Sequence, residues 1–211
     1  EALRNTPGVG TFFLGENGST NTGDAIYMRG FDSSGSIYVD GVRDLGSISR
    51  DLFNIEQIDV MKASAGTDSG RSAPTGSINL SSKQANLDEA QVYSASIGSA
   101  QQRRLSSDTN FVLSRENGSA VRLNLMAQDS GVVGRNQVKN QRWAVAPAFS
   151  FGLNTNTKLF VNYLHVQQDN VPDGGVPTIG LPGYSSPDSK RPLLSTASKR
   201  DTKLFYASAK D

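Results

Sequence analysis

Residues 54–84, NIEQIDVMKASAGTDSGRSAPTGSINLSSKQ, decide how the first part of this chain folds. Ile58, Val60 and Lys62 share one side of an alternating run, with Asp59 and Met61 on the other. Ser77 to Ser81 repeats the alternation, with Ile78 and Leu80 on one side. Gly66, Gly70, Pro74 and Gly76 lie between the two runs. Period-2 runs bounded by Gly and Pro predict two strands joined by a structured loop.

Working upstream, AIYMRGF at 25–31 and IYVDGVR at 37–43 carry the same signal. Short strands are expected near 11–14, 25–29, 37–41, 56–62 and 77–81. A helical turn is expected over Ile48 to Phe53, capped by Ser47 or Ser49. Glu1 to Val9 reads as a helix end stopped by Pro7 and Gly8. Mixed strands with short helices predict a small α+β unit over residues 1–84. Lys83 to Glu89 is a polar joint.

Downstream, the period stays at two but the runs lengthen. Val121, Leu123, Leu125 and Ala127 share one face, and Arg122, Asn124, Met126 and Gln128 the other. Trp143, Val145, Pro147, Phe149 and Phe151 mark another apolar face, with Ala144, Ala146, Ala148 and Ser150 between them. Tyr93 to Ile97, Leu159 to Tyr163 and Leu204 to Tyr206 repeat the pattern. Runs of about ten residues with aromatic ends predict transmembrane strands within a second unit over residues 85–211, and residues 91–211 have room for about six. A barrel with a plugged lumen has about 22 strands, so these are expected to form only part of one. Pro147 lacks a ladder donor, so a bulge or strand end is expected there. A soluble β-rich binding or adhesion module would alternate as well.

The order RGF, YVDGVR, IEQIDV, GRSAPTGSIN resembles the plug domain of TonB-dependent outer-membrane receptors. Residues 159–184, LFVNYLHVQQDNVPDGGVPTIGLPGY, are similar to an early barrel strand and outer loop of the catecholate siderophore branch. Two positions depart from the family: Ala63-Ser64 replaces a Gly-Pro pair, and Ser69 replaces an aromatic residue. The resemblance implies a plug followed by the first antiparallel strands of a transmembrane β-barrel. It implies import of a ferric siderophore across the outer membrane of a Gram-negative bacterium, with the TonB complex and outer-membrane lipid as partners. Cobalamin or a carbohydrate is the alternative cargo. In the family a signal peptide and a TonB-binding segment precede the plug, so the chain is expected to be an internal stretch of a longer receptor.

The resemblance also implies site residues. Plug loops nearest the outside meet the cargo. By position these supply Phe12, Phe13, Glu16, Asn17, Ser34, Gly35, Ser36, Ser49 and Arg50. Aromatic and cationic groups suit a flat, anionic chelate. Arg29 and Lys62 stand where the family places basic residues that pair with carboxylates of the inner barrel wall, each expected on a plug strand.

Other chemistries find little support. Lys+Arg 21 against Asp+Glu 20 gives a net charge of +1, without the basic stripe of a nucleic-acid binder. The chain has no cysteine, which excludes disulfides and thiolate metal sites. Ala65 to Ser72 mimics a phosphate-binding loop, but Arg71 replaces the required lysine, and Pro74 and Gly76 prevent the following helix. His165 is the only histidine, and Asp169, Asp173 and Asp188 lack calcium-loop spacing. No catalytic or metal site and no protein-bound cofactor is expected, because the chelate itself carries the iron.

Overall fold

A computed structural model describes residues 3, 6–12, 25–45, 49–62, 76–133, 135–171 and 198–210. The chain divides into two units, Glu1–Ser82 and Lys83–Asp211.

The first unit holds two small sheets. Strands β1 (Val9–Phe12), β2 (Ala25–Met28) and β3 (Phe31–Asp32) form an antiparallel sheet in that order. Strands β4 (Ile37–Val39), β5 (Val42–Arg43), β6 (Ile55–Met61) and β7 (Ser77–Ser82) form a mixed sheet in the order β5-β4-β7-β6. The β7 strand pairs parallel with β4 and antiparallel with β6. That register places Ile78 between Ile37 and Val60, and Leu80 between Val39 and Ile58. The apolar side read from the sequence is therefore the core side. Val9, Ile26, Met28, Ile37, Ile78 and Leu80 are buried in one cluster, with Leu3, Val39, Ile55, Ile58 and Val60 packed against it. Burying each Ile or Met contributes roughly 2–3 kcal/mol.

Two tight turns shape this unit. Arg29-Gly30 and Asp40-Gly41 each have positive φ at both residues, at 52° and 84° and at 49° and 80°. These are type I′ hairpin turns, which suit the twist of the flanking strands. Arg29 therefore lies in a turn, not on a strand as expected. An L-residue with a bulky side chain is strained in the left-handed region, whereas Gly30 beside it is not. The second turn is pinned to β7: Gly41 N donates to Asn79 Oδ1 at 3.0 Å, and Ser82 N donates to Asp40 Oδ1 at 2.8 Å.

The expected short helices do not form among the described residues. One three-residue 3-10 turn, Ser34–Ser36, is described, and Leu3 has 3-10 conformation. Over 49–53 the reason is local. Asp51 Oδ1 accepts the Phe53 N–H at 3.0 Å, and Ile55 N donates to Leu52 O at 3.1 Å. A side chain that captures a nearby amide offers the backbone a turn instead of a helix.

The second unit is an antiparallel meander in the order β13-β12-β11-β10-β9-β8. Its strands are β8 (Ala90–Ile97), β9 (Arg103–Ser114), β10 (Ser119–Val132), β11 (Arg135–Phe151), β12 (Lys158–Val171) and β13 (Ser198–Lys210). Sequence alternation finds five of the six; β9 has no clear pattern of its own. Pro147 brings neither a bulge nor a strand end. It pairs with Leu123 of β10, while the β11–β12 ladder skips from Val145↔His165 to Ala148↔Asn162 in unchanged register. The missing donor is accommodated as a gap in one ladder.

The faces of this sheet are inverted relative to a soluble one. Trp143, Phe149 and Phe151 of β11 are 46%, 37% and 39% exposed, whereas Ala144, Ala146, Ala148 and Ser150 on the other face are all buried. Leu105, Phe111, Leu113, Leu125 and Leu159 add to the exposed apolar side. Asn110, Asn124, Ser130, Asn162 and Gln168 are buried on the polar side.

Candidate functional site

The sequence-predicted residues lie in the first unit. Within the 3-10 turn, Ser34 N donates to Asp32 Oδ1 at 2.9 Å, and Ser34 Oγ accepts the Ile26 N–H at 3.1 Å. The Gly35 carbonyl accepts Arg43 Nε at 2.6 Å, so Arg43 braces this turn from the next hairpin. Ser36 closes the turn through its amide to Ser33 O at 2.9 Å. Arg50 donates Nε and Nη2 to Asp44 Oδ2 at 3.0 and 2.7 Å, and its side chain is only 10% exposed. Ser49 beside it is half-buried. Arg29 and Lys62 are exposed. Phe12 ends β1, and Phe13, Glu16 and Asn17 lie outside the described residues. The structure thus gathers Ser34, Gly35 and Ser36 into one braced turn and fixes Arg50 through a neighbouring carboxylate.

The second unit holds two polar constellations that the sequence reading did not single out. The first is centred on Asp108 of β9. Its two oxygens accept Arg122 Nε and Nη2 at 2.7 and 2.8 Å, and Lys83 Nζ lies 2.9 Å from Oδ2. Residues 83–88 run over the polar face as an irregular strap. Side chains of the strands reach its carbonyls in succession. Arg122 Nη1 donates to Gln84 O at 3.2 Å and Ser150 Oγ to Ala85 O at 2.7 Å. Asn110 Nδ2 donates to Asn86 O at 2.9 Å and to Asp88 O at 2.7 Å, and Arg115 Nη1 donates to Leu87 O at 3.2 Å. The Asn86 amide returns to Asn110 Oδ1 at 3.2 Å.

The second constellation is a row across the sheet. Gln128 Oε1 accepts Arg104 Nη1 at 2.7 Å and Arg142 Nη2 at 3.0 Å. The strand register continues that row from Arg142 to Gln168 and on to position 200. Basic residues thus recur along one rung of the polar face. The signal available in the sequence was the presence of Arg122 and Gln128 on the non-apolar side of a predicted transmembrane strand, where charge is costly unless it has a role.

On the opposite face, the apolar band from Trp143 to Phe151 runs about 27 Å along the strand at ~3.4 Å per residue. Tilted by about 40°, it spans roughly 20 Å, close to the ~25 Å apolar band of outer-membrane barrels. Trp143 packs against His165 of the neighbouring strand with ring centroids 4.9 Å apart. Among the described residues no cluster of His, Cys, Asp and Glu is arranged to hold a metal ion, and no helix is long and apolar enough to cross a membrane.

Known proteins share this architecture. The TonB-dependent Receptor Plug Domain family matches residues 1–77. The chain is 56% identical over 211 residues to the catecholate siderophore receptor Fiu of Escherichia coli (strain K12), covering 100% of this chain and 28% of that protein. It is 35% identical over 178 residues to the probable TonB-dependent siderophore receptor PiuA of Acinetobacter baumannii, covering 84% of this chain and 23% of that protein. The closed-form crystal structure of the ferric-catecholate import receptor Fiu from E. coli K12 superposes with a TM-score of 0.79 at 60% identity, covering 89% of this chain and 26% of that one. The chain therefore spans under a third of the length of these relatives.

Proposed function

Because the chain belongs to the TonB-dependent outer-membrane receptors, we propose that it supplies the plug and the first six wall strands of an importer of ferric catecholate siderophores. The observation that carries this reading is end-to-end identity of 56% with a catecholate siderophore receptor. The inverted sheet agrees with it: apolar groups face outward where lipid would lie, and polar or small groups face the lumen. The short turns 115–118 and 152–157 would face the periplasm, and the opposite strand ends the outside. The Arg104–Gln128–Arg142 row then lies toward the outer end of the lumen, where positive charge favours an anionic chelate. No bond is made or broken; the iron enters as cargo, and the TonB complex supplies the work.

Cells that rely on the whole receptor should take up radiolabelled iron from a ferric catecholate only when TonB is present. The double substitution Arg104→Glu with Arg142→Glu should weaken catecholate binding about tenfold, ~1.4 kcal/mol, and leave a neutral hydroxamate chelate unchanged. Absence of TonB-dependent uptake would refute the function. Equal loss for both chelates would make the arginine row a structural brace.

In this reading Arg29 and Lys62 are the plug's mobile tethers to wall carboxylates. Charge pairs in a wet lumen orient a body at a modest cost of roughly 0–1 kcal/mol each to separate. Arg29→Ala with Lys62→Ala should therefore raise permeability to large antibiotics with the barrel still inserted. Unchanged permeability at normal expression would remove the tether role.

A further inference from the structure

Hydrogen bonding changes owner within one peptide unit of the chain. Ser82 N donates to Asp40 Oδ1, so Ser82 is the last residue tied to the first unit. The next residue, Lys83, is paired with Asp108 of the second unit. From Gln84 to Asp88 every main-chain carbonyl then accepts a hydrogen bond from a side chain of the sheet or its turn. The donors come from three strands and a turn: Asn110 on β9, Arg122 on β10, Ser150 on β11, and Arg115 after β9. Ala85, at the centre of the strap, is 2% exposed.

This is an unusual way to hold an irregular segment. Its carbonyls are met not by a ladder but by side chains from three strands of a sheet and the turn after β9. A segment held at successive points opens only when all of them release together, which makes the open state rare. By contrast, β7 is held within a small sheet of short strands.

We infer that residues 83–88 are a permanent fastening, and that any part of the plug that moves during import ends at Ser82. The inference rests on the transport reading for its functional meaning. The fastening itself rests only on contacts inside the second unit. It restricts the motion that admits the cargo to a rearrangement of the first unit against a fixed point, because the chain beyond that point stays on the wall.

Two measurements on the whole receptor test it. Asn86→Cys with Asn110→Cys, joined by a short reducible thiol-bridging reagent, replaces the 3.0 Å contact between these side chains with a covalent link. Iron uptake should stay within about twofold of the unbridged variant, because the strap never has to open. Uptake that is lost on bridging and restored by reduction overturns the inference. Separately, the thiol of Ala85→Cys should resist a small alkylating reagent, and adding Asn110→Ala should speed its labelling about tenfold as the strap opens. Equal labelling with and without Asn110→Ala overturns the fastening. If the unsubstituted receptor shows no TonB-dependent uptake, the transport reading fails, and the labelling measurement still decides the fastening.

Discussion

Gly76→Val is expected to break the four-stranded sheet of the plug, at a cost of about 3–5 kcal/mol. Gly76 has φ +122°, a conformation essentially reserved for glycine. A Cβ there would also collide with the Met61 carbonyl oxygen and approach the Met61 carbon at 3.1 Å and the Lys62 Cα at 3.2 Å. All of these are backbone atoms at the end of β6, so no side chain can swing aside. The residue after Gly76 is Ser77, which pairs with Met61 and starts the register that carries Ile78 and Leu80 into the core. Displacing it loosens both. Gly30 and Gly41 have positive φ but open space around a hypothetical Cβ, so alanine there should cost only ~1 kcal/mol. Hydrogen exchange of the Ile78 and Leu80 amides in the whole receptor checks this. Wild-type protection in Gly76→Val would show that the β6 backbone yields to the added side chain.

Asp108→Ala is expected to destabilise the barrel wall by about 3 kcal/mol. It strands two cations, Arg122 and Lys83, whose side chains are 14% and 20% exposed. Removing one member of a largely buried set leaves the others desolvated and unpaired, which costs more than the set contributes. The partial exposure argues for the lower end of the usual 3–5 kcal/mol range. Replacing the whole set, Asp108→Leu with Arg122→Met and Lys83→Met, should cost less than the single change. Melting of the detergent-solubilised receptor, followed by heat-dependent gel migration, gives the comparison. A triple variant less stable than Asp108→Ala would show that the ion set adds net stability of its own.

The plug strands were legible because their apolar residues alternate without interruption: Ile58 and Val60, and Ile78 and Leu80, mark the buried side directly. Strand β9 was not, because Ser107 and Thr109 interrupt the outward face that Leu105, Phe111 and Leu113 otherwise define. Pairing with β8 and β10 reveals it. The expected helix at Ile48 to Phe53 gave way to Asp51, whose carboxylate competes for the Phe53 amide. The alternating run at 25–29 places Arg29 on a strand; the glycine after it, matching Asp40-Gly41, is the available clue to a turn. The strap was invisible for another reason. Its acceptors are main-chain carbonyls, which have no letter in a sequence, and its donors lie 22 to 65 residues away. Arg50 could be chosen as a surface cation from its place in a loop, but its partner Asp44 could not be assigned without coordinates.

The meander of the second unit also bears on the order of events as the chain folds. Each of its strands pairs with its sequence neighbour, and from β8 to β12 each hairpin can zip up locally with little loop to close. The strap closes over longer separations, 22 residues from Asp88 to Asn110 and 65 from Ala85 to Ser150. Loop-closure entropy makes the longer of these about 1 kcal/mol costlier than the shorter. The parallel seam between β4 and β7 is likewise non-local, with Asp40 and Ser82 separated by 42 residues. Local hairpins should therefore lead, while the strap and the plug's central seam wait for distant parts of the chain to meet. Until then the exposed edges of β4 and β7 are unpaired on that side, and it is during this interval that a chaperone would have most to shield.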